Sequence, residues 1–206
     1  MDAYPEHGLQ AQVAEIAAMA RAVADRTGAI EILVCVPATL ITLAVQAAGS
    51  SIEVGAKDCS AEEAGPFTGD IDAEMLRDAG ATSVILGHSE RRHGHHETDA
   101  MVATKVTAAW QHGLATIVCI GETAAQRHAG NALKVFGDQL AASLPDIPAN
   151  ADTSIAYQPL WAIGSGTTPT REQIAEVLAH IFGTAVTDIR STEAWTIAVQ
   201  TKRSGV

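Results

Sequence analysis

The stretch "AEMLRDAGATSVILGHSERR", residues 73–92, compresses one whole repeat of a fold into a single line of sequence. A helical segment runs up to Gly80, a residue suited to a left-handed helix stop. The run "TSVILG", from Thr82, follows and is apolar at consecutive positions rather than alternate ones. A strand reads that way when both of its faces are covered. Just past the strand's C-terminal end stands His88, and in parallel α/β folds that end faces the ligand.

The same pattern recurs outward in both directions. "IEILVCV" from Ile30, "SIEVGA" from Ser51, "ATIVCI" from Ala115, "SIAY" from Ser154 and "WTIAV" from Trp195 are short β-branched runs. Helical stretches lie between them. Residues 9–25 put Val13, Ile16, Ala17 and Ala20 on one face, and residues 99–112 do so with Met101, Val102, the stem of Lys105, Val106 and Ala109. Ser60-x-x-Glu63, Thr123-x-x-Gln126 and Thr170-x-x-Gln173 each fit a capping box, and Gly113, like Gly80, suits a helix stop. Alternating helices and strands predict a parallel sheet with one core, a single domain over residues 1–206. Periodicity leaves two forms open, an open sheet or an incomplete barrel. A closed eight-fold barrel takes about 250 residues, and six strand runs are readable here.

Composition narrows the function. With 24 acidic and 13 basic side chains in 206 residues, the formal charge is −11. That excludes broad binding to nucleic acid or to an anionic membrane surface. It leaves room for a small anion held by backbone amides. No run approaches the roughly 20 apolar residues of a membrane span. "MDAYPEHG" lacks the basic start and apolar centre of a secretory leader, so a cytoplasmic location is expected. Cys35, Cys59 and Cys119 are odd in number and widely spaced; Cys35 and Cys119 sit in apolar runs and read as buried thiols.

Four segments carry chemistry. His88 and Glu90, two positions apart at a strand tip, suit proton handling, although such pairs also occur by chance. "AIGSGTT", residues 162–168, offers backbone amides to a phosphate but lacks the Gly-Lys-Ser/Thr of a P-loop. "PLWAIG" before it is too apolar to lie in water, and reads as packed core or as a lid. His93, His95 and His96 in "RRHGHHE" lack partners at metal-ligand spacing and read as a solvated loop; no metal is expected. The long loop "KDCSAEEAGPFTGD", residues 57–70, carries Phe67 and is expected to protrude and dock, for instance on another subunit.

"CVPATLI", "GAKDCSAEEAGPFTGDI", "AEMLRDAGATSVILGHSERR", "KVTAAWQHGLATIVCIGET" and "AYQPLWAIGSGTTPT", in this order, resemble the signatures of the triosephosphate isomerase family over roughly residues 8–185. The resemblance implies a dimeric (β/α)₈ barrel that interconverts dihydroxyacetone phosphate and glyceraldehyde 3-phosphate without a cofactor. It makes His88 the neutral electrophile and Glu90 a supporting carboxylate. The lid becomes Pro159, Leu160, Trp161, Ala162, Ile163, Gly164, Ser165, Gly166, Thr167 and Thr168, with the Gly164 amide as a phosphate ligand. Thr68 and Phe67 fall in the loop that enters the neighbouring subunit.

The departures from the family pattern are as informative. Gln158 stands where the family has its glutamate base, and a carboxamide keeps the shape without the basicity. Nothing before residues 9–25 resembles the first strand with its asparagine and lysine. Ser204 falls near the family's phosphate-closing serine, but Lys202 and Arg203 occupy the place of its glycines, and no eighth strand follows. The expectation is a barrel-like α/β fold of about six parallel strands, the first and eighth missing. Its edges favour association. Three functions stay open: an impaired or inactive family member that binds phosphorylated triose weakly, a non-catalytic partner-binding module, and an active isomerase with a repositioned base.

Overall fold

The computed structural model describes residues 32–49, 52–63, 65–146, 151–163, 165, 167–188 and 197–199, with isolated positions 11, 15, 18 and 22; for 182–188 and 197–199 the description is of the backbone. Six strands are present among them: β1 (Leu33–Val36), β2 (Glu53–Ala56), β3 (Ser83–Leu86), β4 (Ala115–Ile120), β5 (Thr153–Tyr157) and β6 (Ile197–Val199). Each overlaps one of the apolar runs. They pair in parallel in the order β1-β2-β3-β4-β5-β6. The chain therefore always steps to the adjacent strand and never reverses. A doubly wound sheet needs a reversal point; its absence among the described strands gives the single winding of a barrel-like α/β fold, which periodicity alone left open.

The helices are α1 (Ile41–Ala48), entered through a 3₁₀ turn at Ala38–Leu40, α2 (Ala73–Asp78), α3 (Ser89–Gly94), α4 (Asp99–Gln111), α5 (Ala124–His128), α6 (Ala132–Ser143) and α7 (Arg171–Asp188). Two of the three capping boxes form. Thr123 and Gln126 satisfy each other's free amides ahead of α5, and Thr170 and Gln173 do the same ahead of α7. The Ser60 box does not form, because no helix follows it. The Ser60 hydroxyl instead donates to Asp70 and accepts from the Glu62 amide, tying the two ends of the 57–70 loop together. Gly80 and Gly113 have φ of +100° and +70°, so both helix stops are left-handed as expected.

Val84, Leu86, Val118, Ile120, Ile155 and Tyr157 of β3, β4 and β5 are buried, and Val102, Val106, Ala109, Phe136 and Leu140 of α4 and α6 pack over them. Burying such side chains contributes roughly 1.5–3 kcal/mol each. Phe136 meets Tyr157 edge-on, with ring centroids 5.3 Å apart. Two expectations need correction. Met101 lies off the buried face of α4 and is 45% exposed. Cys35 is half-buried, whereas Cys59 and Cys119 are fully buried; all three thiols are free. Of the 9–25 stretch, Ala11, Glu15, Ala18 and Ala22 are helical and exposed, while Val13, Ile16, Ala17 and Ala20 lie outside the described residues.

Lys105 is buried for a reason that apolar periodicity could not supply. Its Nζ donates to both oxygens of Asp58 at 2.9 Å and to Glu97 Oε1 at 2.6 Å. Arg91 joins the same two carboxylates. Burial works against ionisation of Glu97, but the hydrogen bonds from Lys105 and Arg91 prevail and hold its carboxyl below the usual range. This cluster clamps the root of the 57–70 loop to α3 and α4. No helix among the described residues is long and apolar enough to cross a membrane.

Candidate functional site

The chemistry-bearing residues gather where β3, β4 and β5 end. β3 runs through Gly87 into His88, the N-cap of α3, and β5 runs through Tyr157 into Gln158. His88 and Gln158, 70 positions apart by their numbers, thus reach the same end of the sheet. Gln158 is 1% exposed. Its amide donates to Ile120 O at 2.8 Å, and its side-chain Oε1 accepts from the Ser89 amide at 3.0 Å. The first bond sets its height on the sheet, and the second sets which prong of the carboxamide is oxygen.

His88 Nδ1 accepts from the Glu90 amide at 3.3 Å. An acceptor nitrogen carries no proton, so the neutral ring carries its proton on Nε2 and acts there as a donor. Glu90 Oε2 also lies 3.8 Å from Nδ1. That contact would need a protonated Nδ1, and the two arrangements exclude each other. The shorter contact is the one that caps α3. The Glu90 side chain is 61% exposed, so water screens its charge.

The backbone turn after β4 leaves no room for a side chain. A Cβ on Gly121 would lie 2.0 Å from Gln158 O. Gln139 grips the same glycine from behind, with Oε1 accepting from its amide at 2.9 Å and Nε2 donating to its carbonyl at 3.1 Å. Arg92 ties the strand tips together. It donates to Gly87 O, Cys119 O and Ser143 Oγ and pairs with Asp99.

Glu122 is the hub that holds the segment after β5. Fully buried, its Oε1 accepts from Tyr157 OH at 3.1 Å, Trp161 Nε1 at 2.8 Å and Arg127 Nη1 at 2.8 Å. The Arg127 guanidinium also lies 4.9 Å from the centre of the Trp161 ring. Burial and the neighbouring Glu122 carboxylate push the Tyr157 phenol up, so it stays a donor. Turn bonds from Ala162 to Pro159 and from Ile163 to Leu160 fold the segment on itself. "PLWAI" is accordingly packed, with Pro159 and Ala162 buried and Leu160, Trp161 and Ile163 half-buried. Ser165, Thr167 and Thr168 are exposed, and Gly164, Gly166 and Ser204 lie outside the described residues.

A cavity of about 250 Å³ opens beside Gln158, bounded by Ser89, His93, Gly121, Gln126 and Leu160 among others. A larger one, about 540 Å³, lies at the opposite end of the strands against Glu53, Thr82, Trp110 and Asp152. Size and chemistry part company here, since His88, Gln158 and Glu122 all serve the smaller cavity's end. His93 falls on α3 rather than in a loop, and His95 and His96 follow it; all three are exposed. Phe67 and Thr68 are exposed at the tip of the 57–70 loop.

Ser89, Gly121, Glu122, Arg127 and Gln139 were not singled out from sequence. The signal for Glu122 was present, since "GET" follows the end of β4 just as His88 follows the end of β3. Gln139 left no such signal, because its partner is a backbone group 18 residues away.

A singly wound parallel sheet with these polar groups gathered at the strand C-termini defines a barrel-type α/β protein. The triosephosphate isomerase family model matches residues 4–201. A triosephosphate isomerase of Afipia carboxidovorans is 51% identical over 176 residues, 85% of this chain and 70% of that one. Another, from Ruegeria pomeroyi, is 55% identical over 155 residues, 75% of this chain and 62% of that one. The crystal structure of triosephosphate isomerase from Bartonella henselae superposes with a TM-score of 0.82 at 36% identity, covering 96% of this chain and 81% of that chain. The chain belongs to the triosephosphate isomerase family.

Proposed function

We propose that this single-domain family member binds a phosphorylated triose at the β3–β5 end and turns it over far more slowly than the family reaction requires. The observation that carries the reading is Gln158, a buried carboxamide at the tip of β5. A carboxamide cannot accept the proton beside a carbonyl. General base catalysis is worth about 10²–10⁴-fold. The other carboxylates near this end are ill suited to replace it. Glu122 is engaged by three donors, and Glu90 lies in solvent on the Nδ1 side of His88.

In this reading His88 donates from Nε2 to the substrate carbonyl and Glu90 supports α3. Residues 159–168 close over the ligand, with Gly164 and Ser204 receiving its phosphate. Thr68 and Phe67 dock into a second copy, giving a homodimer in the cytoplasm. Phe67, Ile71 and Met75 support the docking surface, being 41%, 37% and 54% exposed.

A coupled isomerase assay on the chain and on Gln158→Glu tests the proposal. The expected result is little turnover by the chain and a gain of about 10²-fold or more in the variant. Turnover by the chain equal to that of the variant overturns it. Light scattering tests the dimer, and a monomer at high protein concentration overturns that part.

A further inference from the structure

The ends of β3, β4 and β5 are tied to one face of α6. Phe136, Gln139 and Ser143 follow one another at spacings of three and four, which stacks them along that face. Phe136 meets the Tyr157 ring of β5 edge-on. Ser143 Oγ accepts from Arg92, which also donates to Gly87 O after β3 and to Cys119 O of β4. Between these two, Gln139 reaches Gly121, the residue that follows β4.

Both polar atoms of Gln139 are turned to that one glycine. Oε1 accepts from the Gly121 amide at 2.9 Å and Nε2 donates to its carbonyl at 3.1 Å. One bond would let the main chain pivot there, whereas a pair on either side of Cα fixes its orientation. On its far side Gly121 has no slack. A Cβ there would stand 2.0 Å from Gln158 O and 3.3 Å from Leu160 Cγ. The Gln158 amide in turn donates to the carbonyl of Ile120, the residue before Gly121. Gly121 is therefore wedged between Gln139 and the main chain of residue 158. A close-packed contact passes a displacement on and does not absorb it.

We propose that Gln139 is a positioning residue of this site. Acting through Gly121, it fixes where residue 158 and Leu160 stand along the cavity that all four residues border. The inference rests on the reading of the β3–β5 end as the ligand site. A reacting side chain must be held to within about 0.5 Å, and a misplacement of about 1 Å costs about 10²-fold in rate. α6 supplies that precision from behind, by holding the backbone on which residue 158 is mounted.

Gln139→Met keeps the stem of the side chain and removes both bonds. Hydrogen exchange followed by NMR, on the full chain carrying this one change, reads the geometry. The Gly121 and Gln158 amides are expected to exchange about tenfold or more faster. The Thr82 amide, bonded to Val54 O at the other end of the sheet, is expected to keep its rate. An unchanged rate at Gln158 overturns the proposal, and so does an equal rise at all three amides, which would make Gln139 a general stabiliser.

The kinetic arm compares Gln158→Glu with and without Gln139→Met, at a temperature where circular dichroism shows both folded. With Gln139→Met, kcat is expected to fall about tenfold or more while KM stays within about twofold, because the ligand still binds and the base is misplaced. An unchanged kcat, or a rise in KM alone, overturns the proposal. If Gln158→Glu itself gains no turnover, the impaired-base reading falls, and exchange at Gln158 decides the role of Gln139. Where Gln139→Met does not fold, Gln139→Glu is read in the same two ways, since it can accept from the Gly121 amide but cannot donate to its carbonyl.

Discussion

The side-chain oxygen of Gln158 accepts the backbone N–H of Ser89 at 3.0 Å, joining the tip of β5 to the first residue of α3 across 69 positions of sequence. The bond is a structural strut as well as a feature of the site. It anchors the helix that begins beside His88 to the strand that leads into residues 159–163. A carboxylate could accept the same N–H, which is why Gln158 and glutamate are interchangeable in shape.

That equivalence predicts opposite outcomes for two substitutions. Gln158→Glu is expected to hold the α3 strut through one carboxylate oxygen. Gln158→Leu removes the acceptor and leaves the half-buried Ser89 N–H without it, an effect of about 1 kcal/mol. Denaturant unfolding of the two variants checks this; a leucine variant as stable as the parent would show that the strut contributes nothing.

Gly121 allows no side chain. A methyl group placed there would overlap Gln158 O, and Gln139 holds the glycine so that it cannot retreat. Gly121→Ala is expected to destabilise the fold by about 1–3 kcal/mol, the usual penalty of overpacking. Thermal unfolding measures it.

Glu122 holds Trp161, the aromatic residue of the segment after β5. Glu122→Ala leaves Arg127 and Trp161 without their shared acceptor. The expected result is a loss of about 2–4 kcal/mol and a red shift of indole emission as Trp161 gains water. Unchanged emission would mean that packing alone holds the indole.

Lys105→Met keeps the stem of the side chain and removes the charge. It leaves Asp58 and Glu97 facing each other, with Arg91 as the remaining cation. The expected loss is about 3–5 kcal/mol. Proteolysis within residues 57–70 is expected to quicken at the same time, since the root of that loop is released.

Burial pushes the three thiols up from 9.0, to about 11 for Cys35 and about 12 for Cys59 and Cys119. A thiol raised in the folded state holds its proton when the unfolded chain has lost it. Its contribution to stability is present below pH 9 and declines as pH rises towards 11 and 12. Tm is therefore expected to fall from pH 9 upward, and less steeply in Cys119→Ala if that variant's loss of packing is referenced to pH 7. At pH 8, Ellman's reagent is expected to modify Cys35 before Cys59 and Cys119, because Cys35 is half-buried and they are buried.

Much of this architecture is legible in the sequence. The six strands follow from local runs of β-branched residues, and the left-handed stops at Gly80 and Gly113 follow from glycine itself. Thr123 and Thr170 were readable as caps because both halves of a capping box lie within one turn. Ser60 carries the same letters and fails, since no helix follows it and its hydroxyl donates to Asp70 across the loop. Met101 misled for a related reason, as its apolar side chain says nothing of whether a neighbour covers that part of α4.

The sequence by itself determined the alternation of strand and helix, the family to which the chain belongs and the identity of the side chain at position 158. These rest on local propensity and on motifs that remain intact in one dimension. Tertiary structure decided the single winding of the sheet, the strut from Ser89 to Gln158, the three donors on Glu122 and the burial of Lys105. Each of those joins groups from separate elements or sets how elements neighbour one another. A buried polar atom takes whichever partner the packed elements bring to it, and no local pattern of residues names that partner in advance.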